Sequence, residues 1–345
     1  MTVNGPEAGR GEGRAVLVTG GAGYVGSHAC KALRDAGWRP VAFDNLATGW
    51  RDAVRYGPFE EGDLLDRAAL DAAFARHRPV AAMHFAARTQ VGEASRDPGP
   101  YWRTNVGGTL NLAEAAVAAG CRALVFSSTC AVYGDRADGA TLDEACARAP
   151  EGAYGATKRA AEDLLADFEA AHGLRHVVFR YFNVAGADPE GEIGERHDPE
   201  THLIPLVLQA VAGRRAELVI HGDDYPTPDG TPVRDYVHVT DLARAHVAGL
   251  GWLLDGRPSR VFNLGTGRGY SVREVMEAAG AITNRPVPHR VGPRRPGDAV
   301  RLVSGSARAE AELGWRPERS LRDMIADAWR FQEGGRGAGE GGLSG

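Results

Sequence analysis

Cysteine is scarce in this chain of 345 residues, which contains four. They stand far apart at Cys30, Cys121, Cys130 and Cys146, and none forms a Cys-x-x-Cys pair. This spacing argues against a disulfide scaffold, a zinc ribbon and a thioredoxin-like redox motif, and it favours a reducing compartment. We therefore expect a cytoplasmic protein. We recognise no metal-ligand pattern and expect no metal site.

Long apolar runs and clustered basic residues are also missing. Every apolar run is far shorter than the roughly 20 residues that span a bilayer, and no secretory signal is recognised at the start, so we expect no membrane association. The net charge is −5 without a block of Lys or Arg, which argues against nucleic-acid binding. The polar, glycine-rich ends, residues 1–13 and 334–345, are predicted to be disordered.

Short apolar segments alternate with helical patterns in the first half of the chain. Strands are predicted at 15–19, 40–43, 80–85, 123–126 and 176–179, and helices at 23–36, 101–119 and 154–172. Alternation of this kind predicts an α/β fold with a doubly wound parallel (Rossmann) sheet. We assign it to a dinucleotide-binding domain at 14–183.

The regular alternation of predicted strands and helices ends after residue 183. Two polar segments, 187–200 and 223–232, are predicted to be long loops, which are often functional. Further element candidates follow at 218–220, 239–250, 261–263 and 272–279. We predict that 184–333 forms mainly a smaller C-terminal substrate-binding lobe, with some segments returning to the sheet.

A glycine-rich turn follows the first predicted strand. Gly20, Gly23 and Gly26 form Gly-x-x-Gly-x-x-Gly just before a helix, where glycine lets the backbone approach a pyrophosphate and the helix N-terminus attracts its charge. An ordinary strand–turn–helix corner is the alternative. Asp44 ends the second strand, where a carboxylate can bind a ribose diol and repel a 2′-phosphate, so NAD is favoured over NADP. Asp63 either faces the adenine or is a surface acid.

A tyrosine and a lysine lie four residues apart at the start of a long predicted helix. Tyr154 and Lys158 share one helical face, and a nearby cation can lower the pKa of a phenol that acts as a base. A solvated lysine on an amphipathic helix is the alternative. The hydroxyl residues Ser127, Ser128 and Thr129 end a predicted strand, where ligands of parallel sheets bind.

Several stretches together resemble the extended short-chain dehydrogenases/reductases, and within them the UDP-glucose (UDP-galactose) 4-epimerases. The resemblance spans about residues 14–332, and it is carried by residues 18–28 (VTGGAGYVGSH), 84–87 (HFAA), 126–134 (FSSTCAVYG), 180–183 (RYFN), 222–227 (GDDYPT), 233–238 (VRDYVH) and 294–298 (RRPGD).

This resemblance implies roles for individual residues. Tyr154 is the implied acid and base on the sugar 4-hydroxyl, with Lys158 and Thr129 as the other catalytic residues. The implied NAD-binding residues are Gly20, Gly23, Tyr24, Val25, Gly26, Asp44, Asn45, Asp63, Leu64, Phe85, Ala86, Ala87, Asn105, Ser127, Tyr154, Lys158 and Tyr181. The implied UDP-sugar-binding residues are Ser128, Thr129, Tyr154, Asn183, Leu203, His221, Arg234, Arg295, Asp298 and Leu302.

The implied activity is interconversion of UDP-glucose and UDP-galactose through a 4-keto intermediate, by a homodimer that pairs helices 101–119 and 154–172. His202 replaces a family asparagine, and Leu302 stands where hexose-restricted members carry tyrosine, which suggests a roomier sugar pocket. Other UDP-sugars (N-acetylhexosamine, pentose or uronic acid) and a non-catalytic NAD-binding regulator remain alternatives. A 4,6-dehydratase is disfavoured because Ser128-Thr129-Cys130 lacks the acid of that chemistry.

Overall fold

A computed structural model describes residues 12–134, 141–295 and 298–334. The predicted disordered ends lie almost entirely outside the described residues. Gly334 is an exception, because it ends a helix instead of opening a tail. No helix in the described ranges is long and apolar enough to cross a membrane.

Strands and helices alternate through the first half of the chain, as the pattern predicts. The strands are β1 (Ala15–Thr19), β2 (Arg39–Asp44), β3 (Phe59–Glu61), β4 (Ala81–His84), β5 (Ala123–Ser127) and β6 (Arg175–Tyr181). The helices are α1 (Tyr24–Asp35), α2 (Arg67–His77), α3 (Val91–Arg96), α4 (Gly99–Tyr101), α5 (Gly108–Ala118) and α6 (Ala153–His172), with a π-helical turn at Trp102–Gly107. The helix expected at 101–119 is therefore the π-helical turn followed by α5.

The second half contains shorter strands and a separate group of helices. The strands are β7 (Asn183–Ala185), β8 (Leu218–His221), β9 (Val233–His238), β10 (Arg260–Leu264), β11 (Gly269–Ser271), β12 (His289–Gly292) and β13 (Arg301–Leu302). The helices are α7 (Leu203–Val211), α8 (Val239–Leu254), α9 (Val272–Thr283) and α10 (Leu321–Gly334).

Seven parallel strands form the central sheet, in the order β3-β2-β1-β4-β5-β6-β10. Helices α1 and α8 pack together on one face, and α2, α5 and α6 cover the other. Burial on both faces explains why the strands are continuous apolar runs. The strand order reverses between β1 and β4, so a crevice opens at their carboxyl ends, the usual ligand site of such sheets. The predicted doubly wound fold is confirmed.

The smaller lobe is built around its own apolar core. Its β9 pairs with β7, β11 and β13, its β8 pairs with β12, and α7, α9 and α10 enclose apolar side chains such as Val207, Val275 and Ile325. Two segments return to the main sheet: β10 pairs with β6, and α8 covers one face. The pattern analysis omitted the helices α2, α3, α4, α7 and α10 and the strands β3, β7, β9, β11, β12 and β13. Most of these strands are only two to four residues long, too short for a clear apolar pattern.

Candidate active site

Glycine is required at two positions of the turn between β1 and α1. A Cβ on Gly26 would lie 2.0 Å from the carbonyl oxygen of Gly20, and a Cβ on Gly20 would lie 2.5 Å from the amide nitrogen of Ala86. Gly20 also has φ +76°, which side chains disfavour. The close approach brings the N-terminus of α1, with Tyr24 and Val25 in its first turn after Gly23, to the crevice.

A carboxylate lies at the end of β2, beside this turn. Asp44 is 9% exposed, and its Oδ2 and Oδ1 accept hydrogen bonds from the amides of Ala22 (3.0 Å) and Leu46 (2.9 Å). Burial raises the pKa of Asp44, while these two amide donors act in the opposite direction. Asn45 donates to Asp63 Oδ2 at 2.7 Å, so these two predicted NAD-binding residues contact each other.

The loop after β4 forms the opposite wall of the crevice. The amides of Phe85 and Ala86 both donate to the carbonyl of Thr19, and Ala87 follows them. Asn105 holds the next residue, because its side chain accepts from the amide of Arg88 at 2.8 Å and donates to the Arg88 carbonyl at 3.0 Å. Leu64 is buried against the α2–α5 side of the sheet.

These residues fit a dinucleotide. The turn leaves no Cβ between the main chain and a pyrophosphate, the helix N-terminus supplies amide donors, and Asp44 supplies a carboxylate for a ribose diol. Asn45, and not an arginine, follows Asp44, which fits an unphosphorylated ribose better than a 2′-phosphate.

The phenol of Tyr154 lies at the start of α6, opposite the end of β5. Burial raises its pKa to about 12, and a hydrogen bond with Thr129 acts in the opposite direction. Thr129 Oγ1 is itself held as the cap of the short helical turn after β5, where it accepts from the Ala131 amide at 3.1 Å. A hydroxyl that donates to the phenol oxygen stabilises the phenolate.

Lys158 lies one turn along α6 and is 3% exposed. Burial lowers its pKa to about 7, and the charge of Glu162 partly offsets this. Its Nζ donates to the Ser127 carbonyl at 2.8 Å and lies 4.8 Å from the centre of the Phe126 ring. The alternative of a solvated surface lysine is therefore wrong. Tyr181, at the end of β6, contacts the Ser127 hydroxyl and so belongs to the same group.

A separate pocket of about 200 Å³ lies in the smaller lobe, next to the end of β6. It brings together six of the ten residues predicted to bind the UDP-sugar, although they come from distant parts of the chain. They are Asn183, Leu203, His221, Arg234, Arg295 and Asp298. Tyr236 and His202 also line it.

Two arginines give this pocket its positive side. The Arg234 guanidinium pairs with Asp298 and donates to the Val233 carbonyl at 2.8 Å. Burial lowers the pKa of the His221 imidazole, and the charge of Arg295 acts in the same direction. Guanidinium groups match phosphate oxygens in shape and charge, so the pocket suits a pyrophosphate. Leu302 lies beside it, paired in register with Arg234.

Comparison with known proteins agrees with this geometry. Residues 16–265 match the model of the NAD dependent epimerase/dehydratase family. The chain belongs to this family. It is 51% identical to the UDP-glucose 4-epimerase of Rhizobium leguminosarum bv. trifolii, over 92% of this chain and 97% of that one.

Solved structures of family members superpose on the chain. The UDP-glucose 4-epimerase from Brucella ovis in complex with NAD is 48% identical, with a TM-score of 0.89, and the match covers 92% of this chain and 98% of that one. The UDP-Glc/GlcNAc 4-epimerase from Campylobacter jejuni is 35% identical, with a TM-score of 0.81, over 93% and 100% of the two chains. The family resemblance seen in the motifs is confirmed.

One residue predicted to bind the UDP-sugar, Ser128, contacts a buried side chain of the protein itself. Ser128 is 1% exposed, and its hydroxyl donates to Glu162 Oε1 at 2.5 Å. Glu162 also forms a buried two-point ion pair with Arg180, whose Nη1 donates to the Tyr133 hydroxyl at 2.8 Å. The Ser128 hydroxyl is thus held by a buried network, and its role toward substrate stays a prediction.

This buried network is the part of the site that sequence reasoning missed. Glu162 stands one helical turn after Lys158, at the spacing that also relates Lys158 to Tyr154, so the i, i+4, i+8 repeat on one face of α6 was an available signal. His84 is a second omission. It is 1% exposed and bridges Thr19 (2.7 Å) and Thr109 (3.0 Å) where the strand order reverses.

Proposed function

We propose that the chain is an NAD-dependent 4-epimerase that interconverts UDP-glucose and UDP-galactose. The observation that carries this proposal is a buried lysine and a phenol with a hydroxyl donor, on one face of α6, at the carboxyl end of the sheet that also carries the dinucleotide-type glycine turn and leads into the arginine-lined pocket. The relatives from Rhizobium leguminosarum bv. trifolii and Brucella ovis carry the name UDP-glucose 4-epimerase.

The geometry suggests a separate role in the reaction for each of these residues. Tyr154 takes the proton of the sugar 4-hydroxyl and returns it, Thr129 donates to the phenol oxygen, and Lys158, one helical turn away on the same face of α6, favours the phenolate while its amine is protonated. NAD, when bound, supplies the hydride acceptor and a positive ring that further favours the phenolate. Arg234 and Arg295 hold the pyrophosphate, so that the 4-keto sugar can turn without leaving the site.

A panel of UDP-sugars tests this assignment. The purified protein is incubated with UDP-galactose, UDP-N-acetylglucosamine and a UDP-pentose, without added NAD, and the products are identified by NMR. We expect UDP-glucose from UDP-galactose, with no net change in NAD. Copurification of NAD without turnover of any UDP-sugar would instead support a non-catalytic NAD-binding regulator.

A wider substrate range is a second candidate, which the small side chain of Leu302 beside Arg234 favours. The Campylobacter jejuni relative is named for both UDP-Glc and UDP-GlcNAc. We expect turnover of UDP-N-acetylglucosamine, and we expect Leu302→Tyr to reduce it roughly tenfold relative to UDP-glucose, the scale of one lost shape match in a pocket. Good turnover of UDP-glucose with none of UDP-N-acetylglucosamine would contradict the wider range.

We also propose a homodimer. Trp102 (44% exposed) and Leu110 (38%) are large apolar side chains on the surface of the helix that the family resemblance assigns to the dimer contact, and Leu65 (47%) lies close to it. Exposed apolar groups of this size favour burial at an interface. Light scattering should give twice the 36.6 kDa chain mass, and Trp102→Glu should shift it toward the monomer.

A further inference from the structure

Four potential metal ligands meet in the segment just before α7. They are Glu195, His197, Glu200 and His202, and one ligand atom from each lies within 4.8 Å of the other three. The two carboxylates are well buried, with side chains 6% and 7% exposed, whereas the side chains of His197 and His202 are 27% and 47% exposed. The donors therefore converge beneath the surface, with the imidazoles on the outer side.

The distances between the donor atoms suit a tetrahedral metal ion. His202 Nδ1 lies 2.8 Å from Glu195 Oε1 and 3.0 Å from Glu200 Oε1, and His197 Nδ1 lies 3.2 and 3.8 Å from oxygens of the same two carboxylates. A tetrahedral zinc ion with bonds of roughly 2.0–2.2 Å separates its ligand atoms by roughly 3.3–3.6 Å. The four observed distances bracket that value.

One donor atom makes no hydrogen bond of good geometry. His197 Nδ1 is buried, and its 3.2 Å contact with Glu195 Oε1 is an ion pair only while the ring is protonated. As a metal ligand, the same nitrogen points its lone pair at the ion and needs no proton. Two adjacent buried carboxylates need positive charge beside them, which the two facing imidazoles supply when protonated and a divalent cation supplies at one point. The rings of His197 and His202 lie 4.9 Å apart, so placing one cation between the carboxylates avoids two like-charged rings in contact.

We propose that Glu195, His197, Glu200 and His202 form a structural site for a divalent transition metal of the zinc class. Two imidazole nitrogens with two carboxylate oxygens match zinc better than magnesium or calcium, which prefer oxygen ligands throughout. A second acidic group, Asp188, Glu190 and Glu192, differs because the Lys31 ammonium lies within 2.6–3.0 Å of all three and already neutralises it.

The position of the site gives it a consequence. His202 lines the arginine-containing pocket and precedes α7, while His197 lies edge-on against Tyr24 in the first turn of α1. A metal bound here holds the segment 195–202 in one conformation, between the arginine-containing pocket and the first turn of α1. This consequence for substrate binding rests on the proposed function, but metal binding itself does not.

Metal binding is tested on the full chain without any UDP-sugar. The protein is stripped with a chelator, dialysed and titrated with Zn²⁺ in a calorimeter, and its metal content is measured by mass spectrometry. We expect one zinc per chain and, at a hundredfold excess over Kd, a melting temperature about 5 °C higher. Co²⁺ should give the intense visible bands of a tetrahedral site in the wild-type chain.

Matched variants separate this site from adventitious binding. His197→Gln and Glu195→Gln should each lose the stoichiometric zinc and the thermal shift, whereas His289→Gln, at an exposed histidine of β12, should keep both. No stoichiometric zinc in the wild-type chain, or the same uptake by His197→Gln, would overturn the proposal. If a variant does not fold, the Co²⁺ spectrum of the wild-type chain still decides. Failure of epimerase activity with zinc bound would count against the proposed function alone.

Discussion

The dinucleotide end of the crevice is formed mainly by main-chain groups, whereas the pocket of the smaller lobe is formed mainly by charged side chains. At the first end, main chain dominates: glycines without space for a Cβ, amides that bind Asp44, and a Lys158 that donates to a carbonyl. At the second, charged side chains such as Arg234 and Asp298 come from separate loops and strands. Changes at the first end should therefore affect folding and chemistry, and changes at the second mainly binding.

The largest expected effect is on the chemistry at the dinucleotide end. Tyr154→Phe removes the proposed acid and base, and we expect turnover of UDP-galactose to fall about 10³-fold, within the range for general acid–base groups. Initial rates of epimerisation measure this. Tyr270→Phe, which removes a phenol from β11, should leave the rate within about twofold. Full activity of Tyr154→Phe would refute the assigned mechanism.

A glycine substitution tests whether main-chain approach is essential at this end. In Gly26→Ala the new methyl collides with the Gly20 carbonyl, so we expect most of the bound NAD to be lost and the melting temperature to fall by more than about 5 °C. NAD content and thermal melting report both. Gly251→Ala, inside α8 with no atom within 4 Å of its Cβ, should instead stabilise by about 1 kcal/mol. If both variants kept the same NAD content and melting temperature, close main-chain approach would not be essential at the dinucleotide end.

Stability at alkaline pH should report the burial of Lys158. Its pKa falls to about 7 in the folded chain, against about 10.4 when unfolded, so between these values the unfolded state binds more protons and stability rises with pH. We expect Lys158→Met to remove about 2.5 kcal/mol of the increase in unfolding free energy between pH 7.5 and 9.5. Urea unfolding of both chains at the two pH values measures it. If the unfolding free energies of the two chains changed equally with pH, the Lys158 ammonium would not be desolvated.

The smallest of these effects should appear at the pocket of the smaller lobe. Arg234→Lys keeps the positive charge but loses the proposed two-point contact of the guanidinium with the pyrophosphate. We therefore expect KM for UDP-galactose to rise about tenfold, which corresponds to about 1.4 kcal/mol. We expect kcat to stay within about threefold. Steady-state kinetics separates the two constants. Arg290→Lys, an exposed pair with Glu217, is the matched control and should change neither. A fall in kcat without a change in KM would place Arg234 in the chemical step.

Short patterns in the sequence were enough to predict the structure of the dinucleotide end of the crevice. Apolar runs, a glycine triplet, a carboxylate at the end of β2 and a Tyr–Lys pair at helical spacing are each defined within a few residues, and the parallel sheet fixes where they meet. For that reason the doubly wound fold, the turn around Gly20 and the neighbourhood of Lys158 could be predicted. The roles of these residues toward NAD and the UDP-sugar stay predictions, as does the domain boundary at 183.

Tertiary structure alone decided the rest. Asn183, His221 and Arg295 form one pocket only because β7, β8 and the loop after β12 are folded together, and no local pattern encodes that distance. The same holds for the ion pair between Glu162 and Arg180, and for His197, whose Nδ1 faces two carboxylates. Side-chain pairing depends on burial and on contacts between distant segments, whereas secondary structure and glycine turns depend mainly on the chain's own local conformational preferences.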